Sequence, residues 1–172
     1  PSSARAVRRV AAERRLREFG ARHGVAVSIL RAPGIYAAER LPLERLRRGD
    51  PVPQGPHDPY TNHIHADDLA RMACLALFRG APGRVYNAVD LTDLRMGEYF
   101  DLAARVFGLP PPPRANPDEL AERLSPMALS FLSESRRISG ARALRELRLR
   151  LIHPTVADGF AAALSQGVSS PC

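Results

Sequence analysis

Two histidines and an acid stand at alternate positions of one short segment, which contains His63, His65 and Asp67. Alternate side chains of an extended strand point to the same face, so the two imidazoles should lie side by side. Imidazole and carboxylate groups together can bind a metal ion or act as a general base. The alternative is structural, because Asp67 and Asp68 open an apolar helical run and acids favour a helix start. We expect the structural role for the aspartates, a contact of His65 with substrate or neighbouring backbone, and no metal.

A second candidate site follows the apolar run 25–31, which stops at a Pro-Gly turn. Such a continuous run predicts a parallel strand buried on both faces. Open α/β sheets bind their ligands beyond the carboxyl ends of the strands. This position predicts a binding role for Arg31, Pro33, Gly34 and Tyr36, the alternative being a tight turn that only Pro-Gly satisfies.

Polar side chains in two further segments are candidates for substrate contacts. Asn62, with Tyr60 beside it, offers hydrogen bonds to a sugar or a phosphate. Arg136 and Arg137 follow a predicted helix and offer two guanidinium groups to an anion, although an exposed arginine pair is also a common feature of solvated surfaces.

These candidates are positioned by alternating helices and strands. The apolar spacing predicts strands over 25–31 and 84–89, a brief extended segment at 63–65, and helices over 5–22, 41–48, 67–79, 96–107, 116–132, 141–149 and 155–166. Alternation of this kind predicts an α/β fold with a parallel sheet. Two full strands do not make a doubly wound sheet, and the chain begins without Met, so we expect a part of a larger domain. We divide it into residues 1–108 with the sheet, a helical segment 109–166, and a flexible tail 167–172.

Composition limits the classes of partner. The net charge is +7, yet all 25 basic residues are arginine and many stand among glutamates on helices, which suggests coding bias and solvated faces rather than a nucleic-acid site. An Arg-rich nucleic-acid-binding module remains a second alternative function. No apolar run reaches the roughly 18 residues that span a bilayer, so no membrane is expected. Cys74 is expected to be buried, Cys172 lies in the tail, and neither suggests a disulfide, so we expect a reducing cytoplasmic location.

Three motifs, at 28–36, 62–70 and 85–90, resemble in order and spacing the extended short-chain dehydrogenase/reductase superfamily, especially its atypical bacterial NAD-dependent epimerase/dehydratase-like members. Weaker matches follow at 131–138, 144–147 and 153–159. The resemblance implies the C-terminal part of a Rossmann-type parallel sheet plus a mostly helical substrate-binding lobe. It implies NAD or NADP as the cofactor of the complete protein, beside Arg31, Pro33, Gly34 and Tyr36. It further implies a nucleotide sugar or related small molecule as substrate, near Asn62, His65, Arg136 and Arg137. The oligomeric state is open, with a homodimer as one arrangement.

Two departures from the family pattern bear on function. No Gly-rich phosphate loop occurs anywhere in the chain, so the chain alone should bind a dinucleotide poorly. The family's Tyr-x-x-x-Lys pair would fall on Arg5 and Arg9, and an arginine stays charged and cannot exchange the proton that the tyrosine exchanges. The catalytic group is therefore unknown. The alternative to an atypical oxidoreductase is a non-catalytic member that senses a nucleotide or binds a partner.

Overall fold

The strands form two-stranded pairs, and two of these pairs carry the candidate residues Arg31, Gly34, Tyr36 and His65. A computed structural model of the protein describes residues 4–132 and 135–168. Its strands are β1 (Ile29–Arg31), β2 (Gly34–Tyr36), β3 (Val52–Pro53), β4 (Tyr60–Thr61), β5 (His63–His65), β6 (Val85–Asn87), β7 (Leu94–Arg95) and β8 (Arg114–Ala115). Its α-helices are α1 (Ala4–His23), α2 (Leu43–Arg47), α3 (Ala66–Arg79), α4 (Met96–Val106), α5 (Pro117–Arg123), α6 (Pro126–Leu132), α7 (Ala141–Glu146) and α8 (Val156–Ser165).

The strands expected over 25–31 and 84–89 form a parallel pair over the shorter spans of β1 and β6, which confirms the α/β class. The expectation that the run 25–31 is buried on both faces is wrong: Ile29 is buried, but Arg31 is exposed, and Val25 is about half exposed and precedes the strand. β1 pairs with β6, with Ile29 opposite Val85. β2 pairs in parallel with β5, with Gly34 opposite His63 and Tyr36 opposite His65. β3 pairs in parallel with β8, and β4 pairs antiparallel with β7. The Pro-Gly turn and the histidine segment, 30 residues apart in sequence, are therefore hydrogen-bonded neighbours.

One expected helix is wrong in its length. We expected a single helix over 116–132, but the structure has α5 and α6, with Leu124 in an extended conformation between them. The reason is Pro126, which lacks a backbone N–H and disfavours helical geometry in the residue before it. The expected helix starts are confirmed, because the side chains of Asn116 and Thr155 both accept backbone hydrogen bonds in capping boxes.

The core consists of two clusters of buried side chains. One gathers aromatic residues of β2, α4 and α8, namely Tyr36, Tyr99, Phe100 and Phe160. The other lies between α3, β6 and α7 and includes Met72, Tyr86 and Leu147. Segments beyond residue 108 thus contribute to both clusters, and the division at 108/109 stays a prediction. Residues 169–172 of the expected tail, Cys172 among them, lie outside the described residues.

Helix α1 forms as expected, but its apolar side chains are not buried within the described parts of the chain. Val7, Val10, Leu16 and Phe19 are each about half exposed, and Gly20 is the one buried residue of the helix. A Cβ at Gly20 would lie 2.6 Å from the carbonyl oxygen of Val25, so glycine allows the following segment to approach α1.

The expectation that Cys74 is buried is wrong. The buried residues of α3 are Asp68, Met72 and Ala76, four residues apart along one helix face. Cys74 stands midway between two of them and is exposed on the opposite side. Among the residues that the structure describes, no helix is both long and apolar enough to cross a membrane.

Candidate functional site

A cleft of about 660 Å³ lies where the Pro-Gly turn, the histidine segment and the helices α1, α4 and α6 meet. This volume is typical of a small-molecule site. The cleft is lined by Arg5, Arg9, Ala32, Pro33, Gly34, Pro42, Arg45, Tyr60, Thr61, Asn62, His63, Met96, Tyr99, Phe100, Ser125, Met127, Ala128, Leu132, Arg136 and Ile138. The candidates named from the sequence that line the cleft are Pro33, Gly34, Tyr60, Asn62, His63 and Arg136.

One wall of the cleft depends on the close approach of β2 to β5. The backbone N–H of Gly34 donates to the carbonyl oxygen of Asn62 at 3.1 Å. A Cβ at Gly34 would lie 3.0 Å from Nδ1 of His63, so a larger residue would displace the imidazole. Glycine therefore lets the turn lie directly against the histidine.

His63 is a buried, neutral member of the cleft lining. Its ring stacks on Tyr99 with centroids 4.1 Å apart, and Nε2 lies 3.0 Å from Oγ1 of Thr61. Burial lowers the pKa of His63 to about 4, because the charged imidazolium would lose its hydration. Near neutral pH the ring therefore offers a hydrogen-bonding nitrogen without a positive charge.

Asn62 positions the segment that carries the arginine pair. Its amide nitrogen donates to the carbonyl oxygen of Arg136 at 2.7 Å, and its amide oxygen accepts from the backbone N–H of Ile138 at 2.9 Å. Both ends of the amide are thus engaged with the backbone of 136–138. A contact of Asn62 with substrate stays a prediction, and the structure adds this anchoring role.

The two adjacent arginines point to different sites. Arg136 lines the cleft described above, whereas Arg137 lines a separate depression with Asn87 and Arg142. Arg137 forms an ion pair with Asp93 and lies 4.8 Å from the centre of the Tyr60 ring. The hydrogen bond to Asp93 raises the pKa of Arg137 above its ordinary value, and the structure does not bring this residue to the cleft.

Three other predicted residues lie outside the cleft lining. Arg31 forms two hydrogen bonds of 2.7 Å to the carboxylate of Glu13, which join the end of β1 to α1. Tyr36 is buried, and its hydroxyl donates to the carbonyl oxygen of Thr155 at 3.3 Å. Burial raises the pKa of that phenol, so it stays protonated in the core. The third residue is His65.

His65 caps helix α3. Its Nδ1 accepts the backbone N–H of Asp67 at 3.2 Å, so the side chain that caps the helix is the imidazole and not that of Asp67 or Asp68. Its ring centroid lies 3.9 Å from that of His153. Burial, followed by the proximity of His153, lowers the pKa of His65.

The two aspartates of this segment have different surroundings. Asp68 is fully buried and accepts the backbone N–H groups of Ile152 and His153 at 2.7 and 2.8 Å, which is a structural role. Asp67 is exposed. Together with His65 and His153 it forms a cluster in which one potential metal-ligating atom from each residue lies within 4.8 Å of the other two. Since Nδ1 of His65 already accepts a hydrogen bond, one nitrogen of that ring remains for any ion. The expectation of no metal stays a prediction.

Several residues of the site were not predicted from sequence. Arg45 lies 4.6 Å from the Phe100 ring centre, and both side chains line the cleft. Asp90 lies just behind the cleft: its backbone N–H donates to the carbonyl oxygen of His63 at 2.8 Å. Oδ1 of Asp90 accepts the N–H of Thr92, while Oδ2 has no hydrogen-bond partner among the described residues. Burial raises the pKa of Asp90 to about 6. The sequence signal that could have identified Asp90 is its position directly after the predicted strand 84–89.

The residues that align with the family's Tyr/Lys pair face the cleft. Arg5 and Arg9 both contribute to its lining, one helical turn apart on α1. Nη1 of Arg5 donates to Oγ of Ser130 on α6 at 3.4 Å. Arg45 and Arg136 also line the cleft, and the part of its lining that the structure describes contains no Asp or Glu.

The comparisons with known proteins concern the fold. No protein-family model and no curated protein matches the chain. A conserved protein of unknown function from Silicibacter pomeroyi is 31% identical with a TM-score of 0.83, over 97% of this chain and 57% of that one. A nucleoside-diphosphate-sugar epimerase from Pseudomonas aeruginosa is 20% identical with a TM-score of 0.73, over 99% and 59%. A dTDP-glucose 4,6-dehydratase from Bacillus anthracis, solved in complex with NAD, is 15% identical with a TM-score of 0.71, over 96% and 52%.

This chain therefore has the fold of a part of the NAD(P)-dependent epimerase and dehydratase proteins, and the resemblance predicted from its motifs is confirmed for the fold. It spans between about half and three fifths of the length of these three structures.

Proposed function

We propose that this chain is the substrate-side part of an NAD(P)-dependent protein of the nucleotide-sugar epimerase/dehydratase type, and that the cleft is its substrate site. The observation that carries the proposal is the position of the cleft. It lies beside the Pro-Gly turn that follows β1, beyond the carboxyl end of that strand, where open α/β sheets bind ligands, and its other side is lined by α6.

The cofactor would adjoin the cleft at the Pro-Gly turn. Pro33 has a compact ring and Gly34 has no side chain, and both line the cleft, so they leave room for a flat ring. NAD(P), when bound, supplies a hydride acceptor or donor. The chain contains no Gly-rich loop for the pyrophosphate, so the cofactor would need binding groups from a polypeptide segment outside these 172 residues.

The substrate would be held by both walls of the cleft. Arg136 offers a guanidinium to a phosphate of a nucleotide sugar, and Asn62 fixes the backbone that carries it. Tyr99, Met96 and Met127 offer apolar surface to a sugar or a base. A cytoplasmic location and a homodimer remain predictions.

A second candidate function is non-catalytic binding, in which the same cleft senses a nucleotide or related small molecule. It is favoured by Arg5 and Arg9, because neither residue can carry the proton that a Tyr/Lys pair exchanges with the substrate.

The experiment is a titration of the natural full-length protein with NADH and with NADPH, followed by the fluorescence of the reduced nicotinamide. Saturable binding of either dinucleotide supports the proposal. Absence of binding by both at millimolar concentration contradicts it. Subsequent oxidation or reduction of a nucleotide sugar by the bound dinucleotide would distinguish the enzyme from the non-catalytic protein.

A further inference from the structure

The imidazole of His63 has one nitrogen engaged and one that faces the cleft. With the residues that the structure describes, the ring forms a single hydrogen bond, between Nε2 and Oγ1 of Thr61 at 3.0 Å. Among the same residues, the one fully buried side-chain nitrogen or oxygen without a hydrogen bond is Oδ2 of Asp90. Nδ1 of His63 is therefore not sealed in the core, and it reaches the cleft that this residue lines.

Gly34 leaves the space in front of Nδ1 open. A Cβ at Gly34 would stand 3.0 Å from Nδ1 of His63 and 3.4 Å from its Cε1, so this edge of the ring faces the glycine. Both residues line the cleft. A ligand oxygen beside Gly34 would reach Nδ1 at about 3 Å, the length of an N–H···O hydrogen bond.

Two neighbours fix the orientation and the protonation of this ring. Tyr99 stacks on it, with an angle of 10° between the ring planes. The hydroxyl of Thr61 has no other hydrogen bond with the described residues, so its hydrogen is available to Nε2. A neutral imidazole carries one proton, so donation by Thr61 to Nε2 leaves that proton on Nδ1. The ring then presents an oriented, uncharged N–H donor to the cleft.

We propose that Nδ1–H of His63 donates a hydrogen bond to the sugar oxygen on the carbon that faces the nicotinamide, and that Thr61 holds the ring in this tautomer. The inference rests on the proposed function, which puts the nicotinamide against Pro33 and Gly34 and the sugar in the cleft. The reacting carbon must adjoin the nicotinamide, so its oxygen lies next to Gly34 and hence to Nδ1. An oriented, uncharged imidazole N–H stabilises negative charge that develops on such an oxygen.

The first experiment measures calorimetric binding of UDP-glucose and of UDP to the natural full-length protein. The two ligands share the nucleotide and differ in the sugar. His63→Asn keeps an amide nitrogen two bonds from Cβ, where Nδ1 stands, whereas His63→Gln moves the amide one bond further, towards the position of Nε2. His63→Phe keeps a ring against Tyr99 without a nitrogen. The matched control is His57→Phe, because His57 is exposed and does not line the cleft.

Only binding of the sugar should respond to the loss of the Nδ1 donor. His63→Phe and His63→Gln should each weaken binding of UDP-glucose about tenfold, the effect of one hydrogen bond, and His63→Asn should weaken it less than about threefold. Binding of UDP in every variant, and of UDP-glucose in His57→Phe, should change less than about twofold.

Unchanged binding of UDP-glucose by His63→Phe would overturn the inference. An equal loss for UDP and UDP-glucose, or an equal loss in His63→Asn and His63→Phe, would also overturn it, because the ring would then act through packing. Absence of UDP-glucose binding by the parent protein at roughly 10 mM would overturn the sugar contact as well. The NADH and NADPH titrations test the proposed function separately, so their success beside any of these outcomes contradicts the inference alone.

The second experiment determines the tautomer by nitrogen NMR of histidine side chains, with the His63 signals identified by their loss in His63→Asn. The proton should reside on Nδ1, and addition of UDP-glucose should shift the Nδ1 resonance. Thr61→Val, which keeps the shape of the side chain without its hydroxyl, should increase the population of the Nε2–H tautomer. A proton on Nε2 in the parent protein would overturn the donor assignment, and an unchanged tautomer in Thr61→Val would overturn the role of Thr61.

Discussion

Two buried groups, His63 in the cleft lining and Asp90 behind it, should give the protein opposing responses to acid. Burial lowers the pKa of His63 to about 4 from an ordinary value near 6.5. Between these values the unfolded chain holds more protons on this ring than the folded one, so stability is lost as the pH falls. Burial raises the pKa of Asp90 to about 6 from an ordinary value near 3.8. Here the folded protein holds more protons, so stability is gained as the pH falls from 6 to 3.8.

The two effects are of similar size. Each shift exceeds 2 pKa units, and at about 1.4 kcal/mol per unit each group changes the free energy of unfolding by about 2 kcal/mol between pH 7.5 and pH 4.5. His63 is 7% exposed and Asp90 is 6% exposed, so solvent screens neither group strongly. Because the signs are opposite, the two contributions nearly cancel in the parent protein.

Single substitutions should separate them. In His63→Gln the acid-sensitive group is absent, so the free energy of unfolding should fall about 2 kcal/mol less on acidification than in the parent. In Asp90→Asn the compensating group is absent, so it should fall about 2 kcal/mol more. The assay is urea unfolding followed by circular dichroism at both pH values. Subtracting the free energies of unfolding at the two pH values within each variant removes the effect of packing changes that do not depend on pH.

Variants with the same pH response as the parent, within about 0.5 kcal/mol, would refute the reasoning for the residue concerned. A response of the wrong sign would mean that the folded protein stabilises the charged form of the group relative to the unfolded chain.

Three further outcomes are expected. Asn62→Ala removes the acceptor of the Ile138 amide, so that amide should exchange with deuterium at least tenfold faster, and unchanged exchange measured by NMR would contradict the anchoring role. Asp68→Ala leaves two backbone N–H groups without their acceptor and should lower the free energy of unfolding by about 3 kcal/mol. The exposed control Asp67→Ala should change it by less than about 1 kcal/mol, and equal effects of the two variants in urea unfolding would contradict this expectation. Gly159→Ala would place a Cβ 2.5 Å from the Tyr36 side chain and should lower the free energy of unfolding by about 2 kcal/mol. Alanine otherwise favours a helix over glycine by about 1 kcal/mol, so a gain in melting temperature would show that the close contact with Tyr36 is absent.

The local patterns predicted the elements well because the physics that fixes them is local. Apolar runs gave the β1 and β6 pair, and capping residues marked the starts of α5 and α8. The split between α5 and α6 was also locally encoded by Pro126 and was missed because apolar spacing continued across it.

The site was predictable only in part, because it depends on contacts between distant segments. The position of the turn and the family motifs identified Pro33, Gly34, Asn62 and Arg136, all of which line the cleft. The same signals did not show that Glu13 engages Arg31, a contact 18 residues apart that only the packing of α1 on β1 creates. Burial of an acid such as Asp90 is likewise a property of the assembled core.

The most direct test of the central claim is a crystal structure of the natural full-length protein grown with a reduced nicotinamide dinucleotide and UDP-glucose. The claim predicts the nicotinamide ring against Pro33 and Gly34 and the nucleotide sugar in the cleft between the histidine segment and α6. A dinucleotide bound elsewhere, with neither ligand in contact with the cleft, would contradict it.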